Sequence, residues 1–103
     1  MTTESGNCAP FLKALASETR WQIVQELLGG ELTVGEIGSR LKATQYNVSK
    51  HVRVLRDAGI ISASKRGKHV HCEILPAFRR KMAGGGKQLD LGCCVFRFEN
   101  ESK

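Results

Sequence analysis

Residues 44–57, TQYNVSKHVRVLRD, hold the densest set of groups able to meet a nucleic acid. Thr44, Gln45, Tyr46, Asn47, Ser49 and His51 carry hydroxyl, amide or imidazole groups that can exchange hydrogen bonds with base edges in a major groove. Lys50, Arg53 and Arg56 supply positive charge for phosphates. Val48, Val52 and Leu55 recur at offsets of four and then three residues, which predicts a helix with one apolar stripe against a core. A merely solvated helix is usually richer in Glu; this one has a single acid, Asp57, at its far end. By itself the stretch fits either a solvated basic face or a DNA contact, and its flanks decide for DNA.

The four cysteines are the second chemical resource. Cys93 and Cys94 are adjacent, with Lys87 and Arg97 close in sequence to lower a thiol pKa. Two neighbouring thiolates suit a thiophilic metal or metalloid, with Cys72 or Cys8 as a third donor, and they can also be oxidised. A tetrahedral structural zinc wants four ligands, more than the tail pair supplies. The competing reading is that Cys72 and Cys93 are small buried hydrophobes. His51, His69 and His71 are not spaced as a ligand set. His69, His71 and Glu73 alternate on one strand face, where phosphate contact or plain exposure outweighs a metal clamp.

The elements that must position these groups follow from the rest of the chain. At 103 residues it has room for one domain with a modest core, which oligomerisation would help. The net charge of +6 is local: residues 33–81 hold eleven Lys and Arg against three acids, and the remainder is slightly acidic. That balance suits a polyanion. No apolar run reaches the length of a membrane span, no secretion signal is apparent, and the cysteine content is not that of a disulfide scaffold; a cytoplasmic protein is expected.

Residues 1–9 read as a flexible leader, and 10–82 as the folded domain. Pro10 opens a short helix with an apolar stripe of Phe11, Leu12, Leu15 and Ala16. Ser17 caps a second helix whose buried face is Trp21, Ile23, Val24, Leu27 and Leu28, stopped by Gly29-Gly30. Thr33 with Glu36 forms a capping box for a third helix, with Val34, Ile37 and Leu41 inward. Lys42-Ala43 is then a tight turn into the 44–57 helix, a helix-turn-helix spacing. After Gly59, residues 60–64 and 69–75 predict a hairpin joined by the basic turn Lys65-Arg66-Gly67-Lys68. Val70, Cys72 and Ile74 share its inner face. A basic hairpin following a recognition helix is a wing, able to reach DNA backbone or minor groove.

The sequences LASETRWQIV, VSKHVRVLRDAGII and RGKHVHCEI within residues 11–75 resemble the ArsR/SmtB family of winged helix-turn-helix bacterial repressors. The resemblance implies a homodimer on a partly palindromic operator, released by a metal, metalloid or redox signal. It places Thr44, Gln45, Tyr46, Asn47, Ser49, Lys50 and His51 at the base- and phosphate-contacting positions, and Arg66, Lys68 and His69 in the wing. Arg53 joins them on charge. The departures are as informative. The LTVGEIGSRL helix lacks the cysteine pair of many metal-sensing members, and PAFRRKMAGGG offers no Asp, His or Glu where others bind zinc. The usual long terminal dimerisation helix is missing or shortened, which leaves Phe11, Leu12, Leu15, Phe78, Met82 or the tail for dimer contacts.

Residues 83–103 form a glycine linker and a strand-like tail, LDLGCCVFRFEN, with both faces apolar if it is one regular strand. Such a strand must find a partner, either the wing sheet or its twin across a dimer axis. The expected fold is therefore mainly α with a small β-hairpin (α+β), a winged helix-turn-helix with an unusual C-terminal extended segment. The expected function is sequence-specific regulation on double-stranded DNA, as an effector-responsive repressor; an effector-independent DNA-binding or protein-contact module is the alternative. An enzyme is disfavoured by the lack of a phosphate-binding loop, an HExxH or a nucleophile elbow.

Overall fold

Serine and threonine start the helices where their spacing predicts. The computed structural model of the chain describes residues 11–83, 88–90 and 95–97. A short helix, α1, covers residues 11–15. Ser17 caps α2 (Glu18–Leu27) by accepting from the Arg20 amide. Thr33 closes a full capping box on α3 (Val34–Leu41): its amide donates to Glu36 Oε1 at 2.8 Å and its hydroxyl accepts from the Glu36 amide at 3.1 Å. Thr44 caps α4 (Gln45–Asp57) through the Asn47 amide.

The turn between α3 and α4 is closed by backbone geometry. Lys42 adopts the left-handed conformation at φ 57°, and the Ala43 amide donates to the Gly38 carbonyl at 2.9 Å. This brings the chain so close that a Cβ on Gly38 would stand 2.9 Å from the Ala43 carbonyl oxygen. Glycine is thus a steric requirement of the corner, although it sits inside a helix where it costs conformational entropy. At the end of α4, Gly59 takes φ 82° and the Ile60 amide reaches back to the Leu55 carbonyl, which turns the chain into the hairpin.

The hairpin is longer and its turn tighter than the sequence pattern indicates. Strands β2 (Ile61–Arg66) and β3 (His69–Ile74) pair from Ile61↔Ile74 to Arg66↔His69. Lys65 and Arg66 therefore belong to the ladder, and the turn is Gly67-Lys68 alone. Gly67 has φ 64°, the left-handed first position that a two-residue type II′ turn uses. A further strand, β1 (Leu32–Thr33), pairs antiparallel with β3 and completes a three-stranded sheet in the order β1-β3-β2. Two residues are too few to show a period of two, so the sequence carried no signal for it.

One core joins the helices to the inner face of this sheet. Ile23, Val24 and Leu27 of α2, Val34 and Ile37 of α3, and Val48, Val52 and Leu55 of α4 are buried with Ile60, Ile61, Cys72 and Ile74. In α1 the most buried residue is Ala14, outside the expected stripe, while Leu12 is exposed. Phe78, expected as a candidate dimer contact, is instead buried in this core from the short α5 (Pro76–Arg79). Its ring lies 5.6 Å from that of Phe11.

The tail differs from a single extended strand. Met82–Ala83 (β4), Gln88–Asp90 (β5) and Val95–Arg97 (β6) form a second antiparallel sheet in the order β4-β5-β6. Within the chain the tail pairs not with the wing sheet but with itself and with residues 82–83, Leu89 standing opposite Met82 and Phe96. Leu89 is fully buried and joins the main core. Leu91, Cys93, Cys94 and Phe98 lie outside the described residues, so the expected face assignment ends at Leu89. Gly38→Ala is expected to lower unfolding free energy by about 1–3 kcal/mol through overpacking against backbone, read as a lower urea midpoint at unchanged m-value. An unchanged midpoint would show that the corner relaxes freely.

Candidate nucleic-acid interface

Helix α4 presents two unlike sides. Val48, Val52 and Leu55 are in the core, while Thr44, Gln45, Tyr46, Asn47, Ser49, Lys50 and Arg53 are exposed. Tyr46 is 72% exposed, which is unusual for so large a ring. The Lys50 ammonium lies 5.4 Å from its centroid, a cation–π contact that orders both side chains on the surface. Thr44 is committed to the cap, so its oxygen is occupied by the Asn47 amide.

The hairpin and the helix share one concave surface. A cleft of about 380 Å³ is lined by Gln45 at the start of α4, His69 of the hairpin, and Thr33, Gly35, Glu36 and Ser39 of α3 and its cap. Glu36 is the acid in this cleft. Hydrogen bonds from the Thr33 amide, foremost, and from its hydroxyl, with Arg40 and His71 nearby, hold its carboxyl below the ordinary range. Its charge serves the capping box and the start of α3.

Several cations expected at phosphates are engaged inside the chain. Arg66 Nη2 and His71 Nδ1 both lie 2.7 Å from Glu31 Oε2, so the hairpin stem is tied to the loop after α2. Arg66 is therefore a paired cation, and His71, on the outer face of its strand with His69 and Glu73 as expected, is engaged by the same carboxylate. Arg56 pairs with its neighbour Asp57, and Arg40 with Glu26 of α2. Arg79 donates to the carbonyls of Leu27 and Leu28, at the end of an α2 that has no basic residue in its last turn. Among the described residues Arg53, Lys65 and Lys68 form no ion pair.

His51 is placed differently from its neighbours. It is half-buried, and its Nδ1 lies 3.2 Å from Nη1 of Arg20 in α2. Desolvation first, then the charges of Arg20 and Lys50, hold its pKa below the ordinary histidine value. It is a neutral group at the edge of the surface, not a second cation beside Lys50. Sequence reasoning missed both Arg20 and Glu31. Each is a lone charge in a helix or loop, with its partner 31 to 40 residues away.

Cys72 is fully buried, and desolvation pushes its thiol up to about 11, with Glu31 adding to the effect. Its placement removes it from the accessible thiolates and makes it a packing residue. Cys8, Cys93 and Cys94 lie outside the described residues. No group of three or more His, Cys, Asp or Glu able to hold a metal occurs among the described residues, and His69, His71 and Glu73 do not form one. Leu12, Leu15, Ala16, Trp21 and Leu89 line an apolar groove of about 380 Å³, with Ser17 and Glu18 at its edge. No helix among the described residues is long and apolar enough to cross a membrane.

A three-helix corner followed by a two-stranded hairpin is a winged helix-turn-helix. The sequence profile described as "Bacterial regulatory protein, arsR family" matches residues 17–63. The chain is 40% identical over 70 residues to the transcriptional activator HlyU of Vibrio cholerae, covering 68% of this chain and 65% of HlyU. A solved structure of V. cholerae HlyU superposes with a TM-score of 0.68 at 38% identity, covering 72% of this chain and 80% of that one. The arsenical resistance operon repressor of Escherichia coli is 40% identical over 67 residues, covering 64% of this chain and 57% of the repressor. The solution structure of the homodimeric winged helix-turn-helix DNA-binding domain of Mb0332 from Mycobacterium bovis matches with a TM-score of 0.63 at 28% identity, covering 67% of this chain and 64% of that one. The chain belongs to the ArsR family of bacterial regulatory proteins. The match spans less than two thirds of the length of HlyU and of the arsenical repressor.

The Cys72 environment gives a direct check. In a variant with Cys8, Cys93 and Cys94 replaced by Ser, the remaining thiol is expected to resist a disulfide reagent at pH 8 and react fully in urea. Because its pKa is raised on folding from 9.0 to about 11, its stabilising contribution is complete below pH 9 and is lost between pH 9 and 11. Rapid labelling of the folded variant would contradict the burial.

Proposed function

We propose that the chain is a sequence-specific, duplex-DNA-binding transcriptional regulator acting as a homodimer in the cytoplasm. The observation that carries this reading is the joint surface of α4 and the hairpin: a capped helix with an outward polar face, and a hairpin whose His69 shares a cleft with Gln45 and follows the cationic turn. In the dimer, two copies of α4 enter major grooves about 34 Å apart, one helical turn of a palindromic operator. Gln45, Tyr46, Asn47 and Ser49 read bases. Lys50, Arg53 and Lys68 hold phosphates, and His69 borders the cleft. Thr44 contributes through its cap, and Arg66 through the position of the hairpin. The apolar groove with exposed Leu12 beside it is the surface offered to a second copy, in keeping with the homodimeric relative. Repression is the simplest consequence of operator occupancy, and the relatives include a protein named as an activator and one named as a repressor.

An effector-responsive version of this reading assigns the signal to Cys93 and Cys94, as a site for a thiophilic metal or metalloid; the arsenical repressor among the relatives favours it. Replacing both with Ser should then leave DNA binding intact and abolish release by arsenite. Unaltered release would end the thiol reading.

Binding to the chain's own promoter and to scrambled duplex, followed across salt concentration, tests the main proposal. Asn47→Ala should weaken promoter binding by about 1–3 kcal/mol and leave scrambled duplex nearly unaffected. Lys68→Ala should weaken both and flatten the salt dependence by about one phosphate. Glu31→Gln should release Arg66 and steepen the salt dependence, at a stability cost below about 1 kcal/mol for so exposed a pair. Equal affinity for both duplexes would favour the effector-independent or protein-contact module.

A further inference from the structure

Arg20 reaches three acceptors from one guanidinium. Nε donates to the Ala14 carbonyl at 2.5 Å, Nη2 to the Lys13 carbonyl at 3.3 Å, and Nη1 faces His51 Nδ1 at 3.2 Å. The first two are carbonyls at the end of α1, where the helix runs out of amide partners; that of Lys13 also accepts from the Ala16 amide at 3.3 Å. The third belongs to the recognition helix. Arginine has no acceptor, so His51 Nδ1 must offer its lone pair and the ring proton must sit on Nε2. Protonating Nδ1 would set two N–H groups and two cations against each other. The charged groups acting on the ring are Arg20 from α2 and Lys50 on its own helix, both cations, and α1 contributes only its carbonyls through Arg20.

We propose that Arg20 is a positioning residue for the recognition helix. Its guanidinium fastens the end of α1 to α4 and holds His51 as the neutral Nε2–H tautomer, so His51 meets DNA as a hydrogen-bond donor and not as a cation. The second half of this statement rests on the DNA reading above; the first does not. A lysine at position 20 would keep the charge but lose the planar fork that serves three acceptors at once. Because α1 also lines the apolar groove, Arg20 is the polar link between that groove and the DNA-facing helix.

Imidazole NMR on the full chain tests the bracket. At pH 7.5 His51 should show the Nε2–H tautomer and titrate with a midpoint below 6.5. In Arg20→Gln the midpoint should rise towards 6.5 and the tautomer preference should fade; Arg20→Lys should also lose the preference. The depressed pKa means that the contribution to stability is complete above pH 6.5 and is lost as pH falls through the folded midpoint. A wild-type Nδ1–H tautomer, or a midpoint that Arg20→Gln does not move, would overturn the proposal. If Arg20→Gln does not fold, the wild-type tautomer and midpoint decide alone. On promoter duplex at pH 7.5, His51→Gln should weaken binding by roughly three- to tenfold, as for one neutral hydrogen bond, with the salt dependence unchanged. A salt dependence shallower by one phosphate would mark His51 as a cation and overturn the neutral-donor role. A wild-type chain that binds no duplex would instead overturn the DNA reading, and the titration would still decide the role of Arg20.

Discussion

The corner between α3 and α4 closes because residue 38 has no side chain. The Ala43 carbonyl oxygen occupies the space where a Cβ would stand, 2.9 Å away, and the Ala43 amide hydrogen-bonds to the Gly38 carbonyl. The left-handed Lys42 completes the turn. That close approach sets the angle at which α4 leaves α3. The outward face of α4 inherits it: the cap at Thr44, the outward direction of Tyr46 and Asn47, and the width of the cleft between Gln45 and His69. A conformational cost inside α3 is accepted for a fixed presentation of the next helix.

Positive charge has two uses in this chain, and composition does not separate them. Arg20 and Arg79 satisfy carbonyls at the ends of α1 and α2, Arg66 ties the hairpin stem to Glu31, and Arg40 joins α3 to α2. Most of these arginines bridge elements remote in sequence, where a forked, multiply donating group is most effective. The cations without such ties include Lys50, which lies over the Tyr46 ring, Arg53, and Lys68 at the hairpin turn. The local excess of charge in residues 33–81 thus overstates what is available to phosphates. The surface that remains is compact and lies around one helix and one turn.

The helices were legible because their signals are local: Ser17, Thr33 with Glu36 and Thr44 cap where their spacing requires, and Val48, Val52 and Leu55 fall on one buried stripe. The exposed polar face of α4, with Gln45, Tyr46, Asn47 and Ser49, was legible for the same reason. What escaped were contacts between distant residues. His51 stands among exposed polar residues in sequence yet turns towards Arg20, and Arg66 sits in a basic run yet pairs with Glu31. Strand β1 is too short for a period, and the tail's apolar alternation concealed a return, since residues 89 and 96 are register partners in a ladder. Cys72 was placed on the correct face of its strand, and burial then settled its chemistry.

Chemical-shift mapping on the full chain, with promoter duplex added stepwise, tests the central claim most directly. The largest backbone shifts are expected on Gln45 to Arg53 and on Lys65 to His69. Shifts concentrated on Leu12, Leu15, Trp21 and Leu89, with α4 and the hairpin unmoved, would contradict it.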